Sequence, residues 1–548
     1  MNALEAASLV MIPSGYEDGT LGSLKPLDGT GDFTFSRGSN ISATRVNADG
    51  YIEKGYENLL LQSNQFDTTW ISGTSCTGGQ EGYDGSNNAW KIQAISTSNQ
   101  FITQNISLSS VNSFSVYAKA GTANFIIIRI QGTQNSYAYI NLLDGTIGNQ
   151  VGSPINVSTE SVGNGWYRCE ITNSNSNSVY VYVVDSNGSL AVTSGAYIYI
   201  QDAMVNQGMV AYPYVETTTA PVAGGILEDM PRLDYSNGSC PSLLLEPSRT
   251  NLITSSEYFG GYSQIGTMTI SSNSTTSPEG VQNATLLNNT SGATTRLRST
   301  NITSQANEKY VMSIFAKANG TSTFGVRHQT GEKYLIHIDL SNQSYTSAGT
   351  WVDDIDFKDY GNGWWRVIFY FTADDTTTGT QEIYLNNGES VYFYGWQFEQ
   401  DATYPTSYIP TYGVSQTRLQ DSASVTGLAQ SFPLTAYIEI DVFSITTYNQ
   451  FQFRQDVSNF VLRVGNQIRV GATDTLGNNT LGSNKFALSV DASGNYELFK
   501  NGTSLGTGTI TGSIDEIRSD AAGYEVKQLL LFSTALSDEE CIALTTIS

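Results

Sequence analysis

The sequence predicts an all-β protein of tandem antiparallel β-sandwiches, two of them copies of one another. Three observations carry this. First, among 548 residues Gly (52), Tyr (32) and Phe (22) are abundant and Pro (12) is scarce. That is the composition of many short strands joined by turns, and helical periodicity is almost absent. Second, one turn-and-strand stretch occurs twice, as Gly163-Asn164-Gly165-Trp166-Tyr167-Arg168 and as Gly361-Asn362-Gly363-Trp364-Trp365-Arg366. Asn-Gly accepts the positive φ of a tight hairpin, and the residues after it alternate with the period of a strand. Third, the segments around this stretch recur in the same order.

Residues 1–57 are turn-rich and hold too few apolar side chains for a core, so they form an N-terminal arm that packs on a neighbouring domain, a sister subunit or a larger assembly. A first sandwich is expected over 58–222, a connector over 223–250, a second sandwich over 251–416 and a third over 417–548. Asn58-Leu59-Leu60 is matched by Asn251-Leu252-Ile253, the Asp84-Gly85 loop by Glu279-Gly280, and Tyr117-Ala118-Lys119 by Phe315-Ala316-Lys317. Each copy then runs from an aromatic strand into a Tyr-Pro, at Tyr212-Pro213 and Tyr404-Pro405. Val179–Val183 alternates β-branched and aromatic residues, and Phe125–Ile128 reads as a strand buried on both faces. Such units fit sandwiches of jelly-roll type. In the last unit Asn501-Gly502 turns a hairpin, and Ser537 with Glu540 forms a capping box that opens a short helix. Three arginines, Arg45, Arg232 and Arg418, recur at nearly constant spacing before each unit, an arrangement in which the guanidinium bonds backbone carbonyls of the connector.

The net charge of −24 and the lack of any Lys/Arg cluster argue against nucleic acid and against anionic membrane surfaces. No apolar run is long enough for a membrane-spanning helix, so no membrane insertion is expected. The four cysteines are far apart and show neither metal spacing nor a disulfide framework.

Catalysis by a nucleophile and base needs a histidine or its equivalent, and only His328 and His337 occur, outside any hydrolase or metalloprotease motif. The dense acidic stretch Asp353-Asp354-Ile355-Asp356 reads as a solvated loop or, alternatively, as a calcium site made by Asp353, Asp354 and Asp356. Sugars stack on aromatic rings while Asn, Asp, Gln and Arg bond their hydroxyls. Trp166 with Arg168, and Trp364 with Arg366, fall on the strand face opposite the core residues and are candidate glycan-binding platforms. Trp396 and the Tyr180/Tyr182 pair are further candidates. The alternative is that each Trp is covered by a loop or stacked on its own Arg.

The duplicated units resemble the carbohydrate-binding-module-like jelly rolls of tailed-bacteriophage virion proteins, on the Asp84–Ala89 loop, Tyr117-Ala118-Lys119, Asn164–Arg168 and their second copies. The connectors Ser36–Glu53, Leu243–Leu252 and Thr406–Thr411 are similar to segments of phage tail and fibre proteins. The last unit resembles concanavalin- or laminin-G-like lectin domains, on its Asn501-Gly502 hairpin and the run from Ala535. This resemblance implies a non-enzymatic virion structural protein, made in the host cytoplasm: a tail or head fibre, spike or decoration subunit. It further implies a homo-oligomer bound to other virion proteins and contacting host surface polysaccharide. No cofactor is required, although calcium at the Asp84 and Glu279 loops fits the resembled modules. The alternatives are a glycan-degrading hydrolase of tailspike type and a purely architectural capsid or tail subunit.

Overall fold

The computed structural model describes residues 3–17, 20–132, 135–445, 450–472, 474–520 and 523–547. The two Asn-Gly turns form as the sequence predicts. Asn164 and Gly165 have φ of 51° and 77°, Asn362 and Gly363 of 52° and 79°. They join Asn156–Gly163 to Trp166–Ser174 and Val352–Asp359 to Trp364–Thr372.

Each duplicated unit is a sandwich of two six-stranded antiparallel sheets. In the first, one sheet runs Asn156–Gly163, Trp166–Ser174, Val111–Ala120, Tyr197–Gln207, Ala89–Ala94, Thr74–Gln80. The facing sheet runs Ile147–Val151, Asn135–Asn141, Phe125–Gly132, Ser176–Val184, Gln100–Asn105, Ile71–Ser72. The second unit repeats both orders strand for strand. Alternate residues interdigitate between the sheets, Phe114, Cys169, Ile171, Ile128 and Val181 in one copy and Met312, Val367, Phe369, Phe371 and Val326 in the other.

A buried asparagine closes both units in the same way. Asn58 Nδ2 donates to the carbonyls of Ala203 and Val215 while its Oδ1 accepts from the amides of Leu60 and Val205. Asn251 makes the same four bonds to Trp396, Ile409, Ile253 and Phe398. These bonds correct the sequence alignment of the repeats. Tyr214 bonds Ser63 as Tyr408 bonds Ser256, so Tyr214 and Tyr408 are equivalent and the Tyr-Pro pairs lie two residues out of register.

The third sandwich is assembled from distant parts of the chain. Its first sheet includes Leu434–Val442, Gly482–Val490 and Tyr524–Phe532, and one edge of Tyr524–Phe532 is covered by two short strands, Leu9–Met11 and Ser242–Leu245. In the other sheet Thr34–Ser36 pairs with Ser422–Ser424. The stretches read from sequence as arm and connector thus supply strands and core side chains (Leu9, Met11, Phe33, Leu243, Leu245) to the last unit. They also cap what would be bare sheet edges. The capping box at Ser537 opens the helix Asp538–Thr545, as its sequence predicts.

Two buried charge clusters join the units. The junction arginines do bond backbone carbonyls: Arg45 to Pro231, Arg232 to Thr44, Arg418 to Pro247. Arg232 also lies 2.8 Å from Glu246, bonds Asp421 and donates to Ser407, while Arg418 reaches the same Glu246 oxygen and Arg37 the same Asp421. In the second cluster Lys54 of the arm enters the second sandwich, with its ammonium 2.6 Å from both Glu257 and Glu279. Tyr408 and Tyr394 donate to these carboxylates, and the Lys54 ammonium lies 5.0 Å from the Tyr212 ring centre.

Candidate functional site

The tryptophans read as sugar platforms are interior. Trp166 is 1 % exposed, Trp364 2 % and Trp396 0 %. The strand face opposite the core is itself covered. Trp364 packs against Ile52 of the arm and against Phe315, Tyr394 and Tyr408, and its indole donates to the Thr276 carbonyl. Trp166 sits under Tyr83, whose ring stacks on Tyr117 at 4.0 Å. Trp396 belongs to the second core. Arg366 is buried, bonded to Ser313 and to the Thr406 carbonyl, and Arg168 bonds Ser115 and the Tyr212 carbonyl in the same way. No ring face is left for a sugar, and both arginines pin the segment that closes their own unit.

The acidic stretch is a strand instead of a loop. Val352–Asp359 is an edge strand with a bulge between Val352 and Asp354, so Asp354 and Asp356 stand opposite Tyr370 and Ile368 while Asp353 accepts from Thr372. Exposed carboxylates on an edge protect it from pairing with other chains. Among the described residues no group of three or more His, Cys, Asp or Glu side chains is placed to hold a metal. At the loops read as calcium sites, Asp84 accepts from Ser86 and Glu279 is engaged by Lys54. His328 is buried against Trp351 with Nδ1 donating to the Thr330 carbonyl, and burial lowers its pKa; His337 lies 2.8 Å from Glu389.

A partly exposed aromatic surface lies on the outer face of the first sandwich. Cross-strand register builds two rows there. Phe101, Tyr182, Ile127 and Tyr139 form one, and Thr103, Tyr180, Arg129 and Tyr137 the other. With Phe125 and Val184 the apolar and aromatic members of these rows make a cluster separate from the core, in which Phe101, Phe125, Tyr137 and Tyr180 stay half-exposed. Phe101 touches both Tyr180 and Tyr182, at 5.3 and 5.0 Å. The Arg129 guanidinium lies 4.6 Å from the Tyr180 ring centre and donates to Tyr182, Gln131 and Asn135. Sequence reasoning found Tyr180 and Tyr182, which share a strand, and missed the rest, because those residues meet only through the pairing of four strands.

The second sandwich carries different chemistry on the equivalent face. Arg296, Tyr384, Gly325 and His337 occupy the positions of Phe101, Tyr182, Ile127 and Tyr139, and Arg298, Glu382, Arg327 and Leu335 those of the other row. Gly325 has a steric reason, since a Cβ there would come within 2.0 Å of the Tyr384 ring.

A cleft of about 280 Å³ opens where the second sandwich, the connectors and the third sandwich meet, lined by Lys358, Tyr360, Tyr404, Phe443, Asn237 and Glu525 among others. Burial, with Asp234 and Asp441 nearby, pushes the Glu525 carboxyl up to about 7, against a bond from Asn237 and the charge of Lys358. A raised carboxyl keeps its proton longer in the folded state, so its contribution is undiminished below about 4.5 and is lost as pH rises towards 7. Glu525→Gln is therefore expected to stabilise the protein by about 1–3 kcal/mol at pH 8 and to change nothing at pH 4.5. Urea unfolding at the two pH values checks this; an equal effect at both would contradict it.

No protein-family profile matches the chain, and no curated protein matches it. Among solved structures, the N-terminal CBM22-1-CBM22-2 tandem domain of Xyn10C from Paenibacillus barcinonensis is 10% identical, covers 66% of this chain and 98% of its own, and has a TM-score of 0.19. The LG1-3 region of the laminin alpha2 chain is 9% identical, covers 80% of this chain and 96% of its own, with a TM-score of 0.15. Superpositions this loose bear on neither fold nor function.

Proposed function

We propose that the chain is a non-enzymatic virion structural protein of a tailed bacteriophage, a fibre, spike or decoration subunit that contacts host-surface glycans. The observation that carries the glycan part is the aromatic outer face of the first sandwich. Half-exposed rings of Phe101, Phe125, Tyr137 and Tyr180 stand beside the polar groups of Arg129, Gln131 and Asn135. Flat apolar surface next to fixed donors and acceptors is the chemistry that recognises a sugar, whose C–H face stacks while its hydroxyls bond. The virion part is supported by the connector segments that resemble phage tail and fibre proteins, and Glu246 of one of them is tied through Arg232 to Asp421 of the third unit.

Affinity electrophoresis through host surface polysaccharide, with assay of reducing ends, tests the reading. The protein should be retarded without releasing new ends. The Phe101→Ala/Tyr180→Ala variant should bind at least about tenfold more weakly, as expected for removal of central aromatic contacts. Unchanged binding by the variant would remove the assignment of this face, and robust cleavage would favour the hydrolase. Mass spectrometry of purified particles tests virion residence.

A further inference from the structure

The outer face of the second sandwich is charged where its twin is aromatic, and from this we infer a second binding site, specific for an acidic saccharide bearing carboxylate or sulfate groups. The inference rests on the glycan-contacting reading and adds a ligand class to it. Three guanidiniums converge on one carboxylate. Arg298 Nε donates to Glu382 Oε1 at 2.6 Å, Arg327 Nη1 to Oε2 at 2.9 Å, and Arg296 Nε lies 3.8 Å from Oε2. Glu382 is wholly buried beneath them.

The geometry leaves donors over. Arg327 spends its remaining nitrogens on Glu332, which is exposed at the rim. Arg296 and Arg298 engage Glu382 through Nε alone, and among the described residues no hydrogen bond takes up their Nη atoms. Their side chains are 33% and 23% exposed, so two guanidinium forks are oriented from below and open above. A fork held this way matches the two oxygens of a carboxylate or the face of a sulfate.

Beside the forks the floor is flat. The Tyr384 ring lies across Gly325 and next to His337, at 5.9 Å and 24° between planes. His337 is held in turn by Glu389 and Asn386. An aromatic floor next to bidentate donors suits a uronate or sulfated sugar ring better than a nucleic acid, which needs an extended track of positive charge. The net charge of −24 disfavours non-specific binding of polyanions to the molecule as a whole.

Polygalacturonate and dextran sulfate serve as acidic probes, with neutral host polysaccharide and single-stranded DNA in parallel. The full chain should bind an acidic probe, and raising NaCl from about 0.05 to 0.5 M should weaken that binding, because salt screens exposed charge. Arg296→Gln should lose at least tenfold of it while melting like the parent, since Arg296 contributes only the longest of the three contacts to Glu382. Arg298→Lys, which keeps charge but not the fork, should also lose most of it. Phe101→Ala should leave acidic binding intact while weakening the neutral polysaccharide, which separates this inference from the reading beneath it. No retardation by either acidic probe, unchanged binding in Arg296→Gln, or equal retention of DNA would overturn it.

Discussion

Replacing Arg232 with Met is expected to cost the protein about 3–5 kcal/mol, because it leaves buried carboxylates without a partner they were folded around. Arg232 is fully buried and bonds Glu246, Asp421, Ser407 and the Thr44 carbonyl at once. These groups come from the arm, from both connectors and from the start of the third unit, so the loss should appear in the second and third units together. Urea unfolding read by far-ultraviolet circular dichroism, which reports on the strands of every unit, measures it. Arg45→Met is the control. Arg45 repeats the same sequence motif, but its ion pair with Glu53 is partly exposed and should cost under about 1 kcal/mol. Equal losses in the two variants would contradict the argument. The hub also contributes to the stability of the native protein in acid. Burial would raise the Glu246 carboxyl, but Arg418, Arg232 and the bonds from Ser407 outweigh it and hold it at about 2. A lowered carboxyl contributes its full stability above about 4.5 and loses it as pH falls through 2.

Lys54→Met should be comparably severe, at about 3–5 kcal/mol near neutral pH. It leaves Glu257 and Glu279 buried side by side, with the tyrosines and, for Glu279, the Asn283 amide as their remaining donors. Without the ammonium both burial and mutual repulsion favour the protonated acids, so the deficit should shrink as pH falls from 7 towards 4.5. The triple variant Lys54→Met/Glu257→Gln/Glu279→Gln should recover most of the loss, since it removes every charge. A deficit that is independent of pH and unrelieved in the triple variant would point to lost packing of the arm instead.

The parts of this structure that were legible in the sequence are those set by neighbours in the chain. Asn-Gly turns, the alternation of Val367, Phe369 and Phe371, and the Ser537 capping box depend on residues a few positions apart. The role of the junction arginines was legible because the motif came three times. What covers Trp364 was not. One side of its strand faces a core built within its own unit, and the other meets Ile52 and Tyr408, which reach it only once the arm and connector have folded across. An exposed face and a face covered by a remote segment carry the same alternation, and so the buried pair Trp364 and Arg366 reads as a surface. The acidic stretch misled for the opposite reason. A bulged edge strand with carboxylates has the composition of a loop, and only its ladder to Trp364–Thr372 distinguishes it. Beyond Tyr180 and Tyr182, the aromatic and arginine faces are invisible along the chain because each row takes one residue from each of four strands.

The pairing of Leu9–Met11 with Leu529–Leu531 also has a consequence for the order in which the protein can be made. A ribosome delivers residue 9 long before residue 529, so the first-made strand must wait, unpaired, while both duplicated sandwiches emerge and close. The waiting segment is short and interrupted by turns, which limits the unpaired edge that it offers to other nascent chains. The final sandwich forms only when both distant parts of the chain are present. Translation that stops before Tyr524–Phe532 therefore yields two finished units with the strand Leu9–Met11 left without its partner, a segment open to proteolysis.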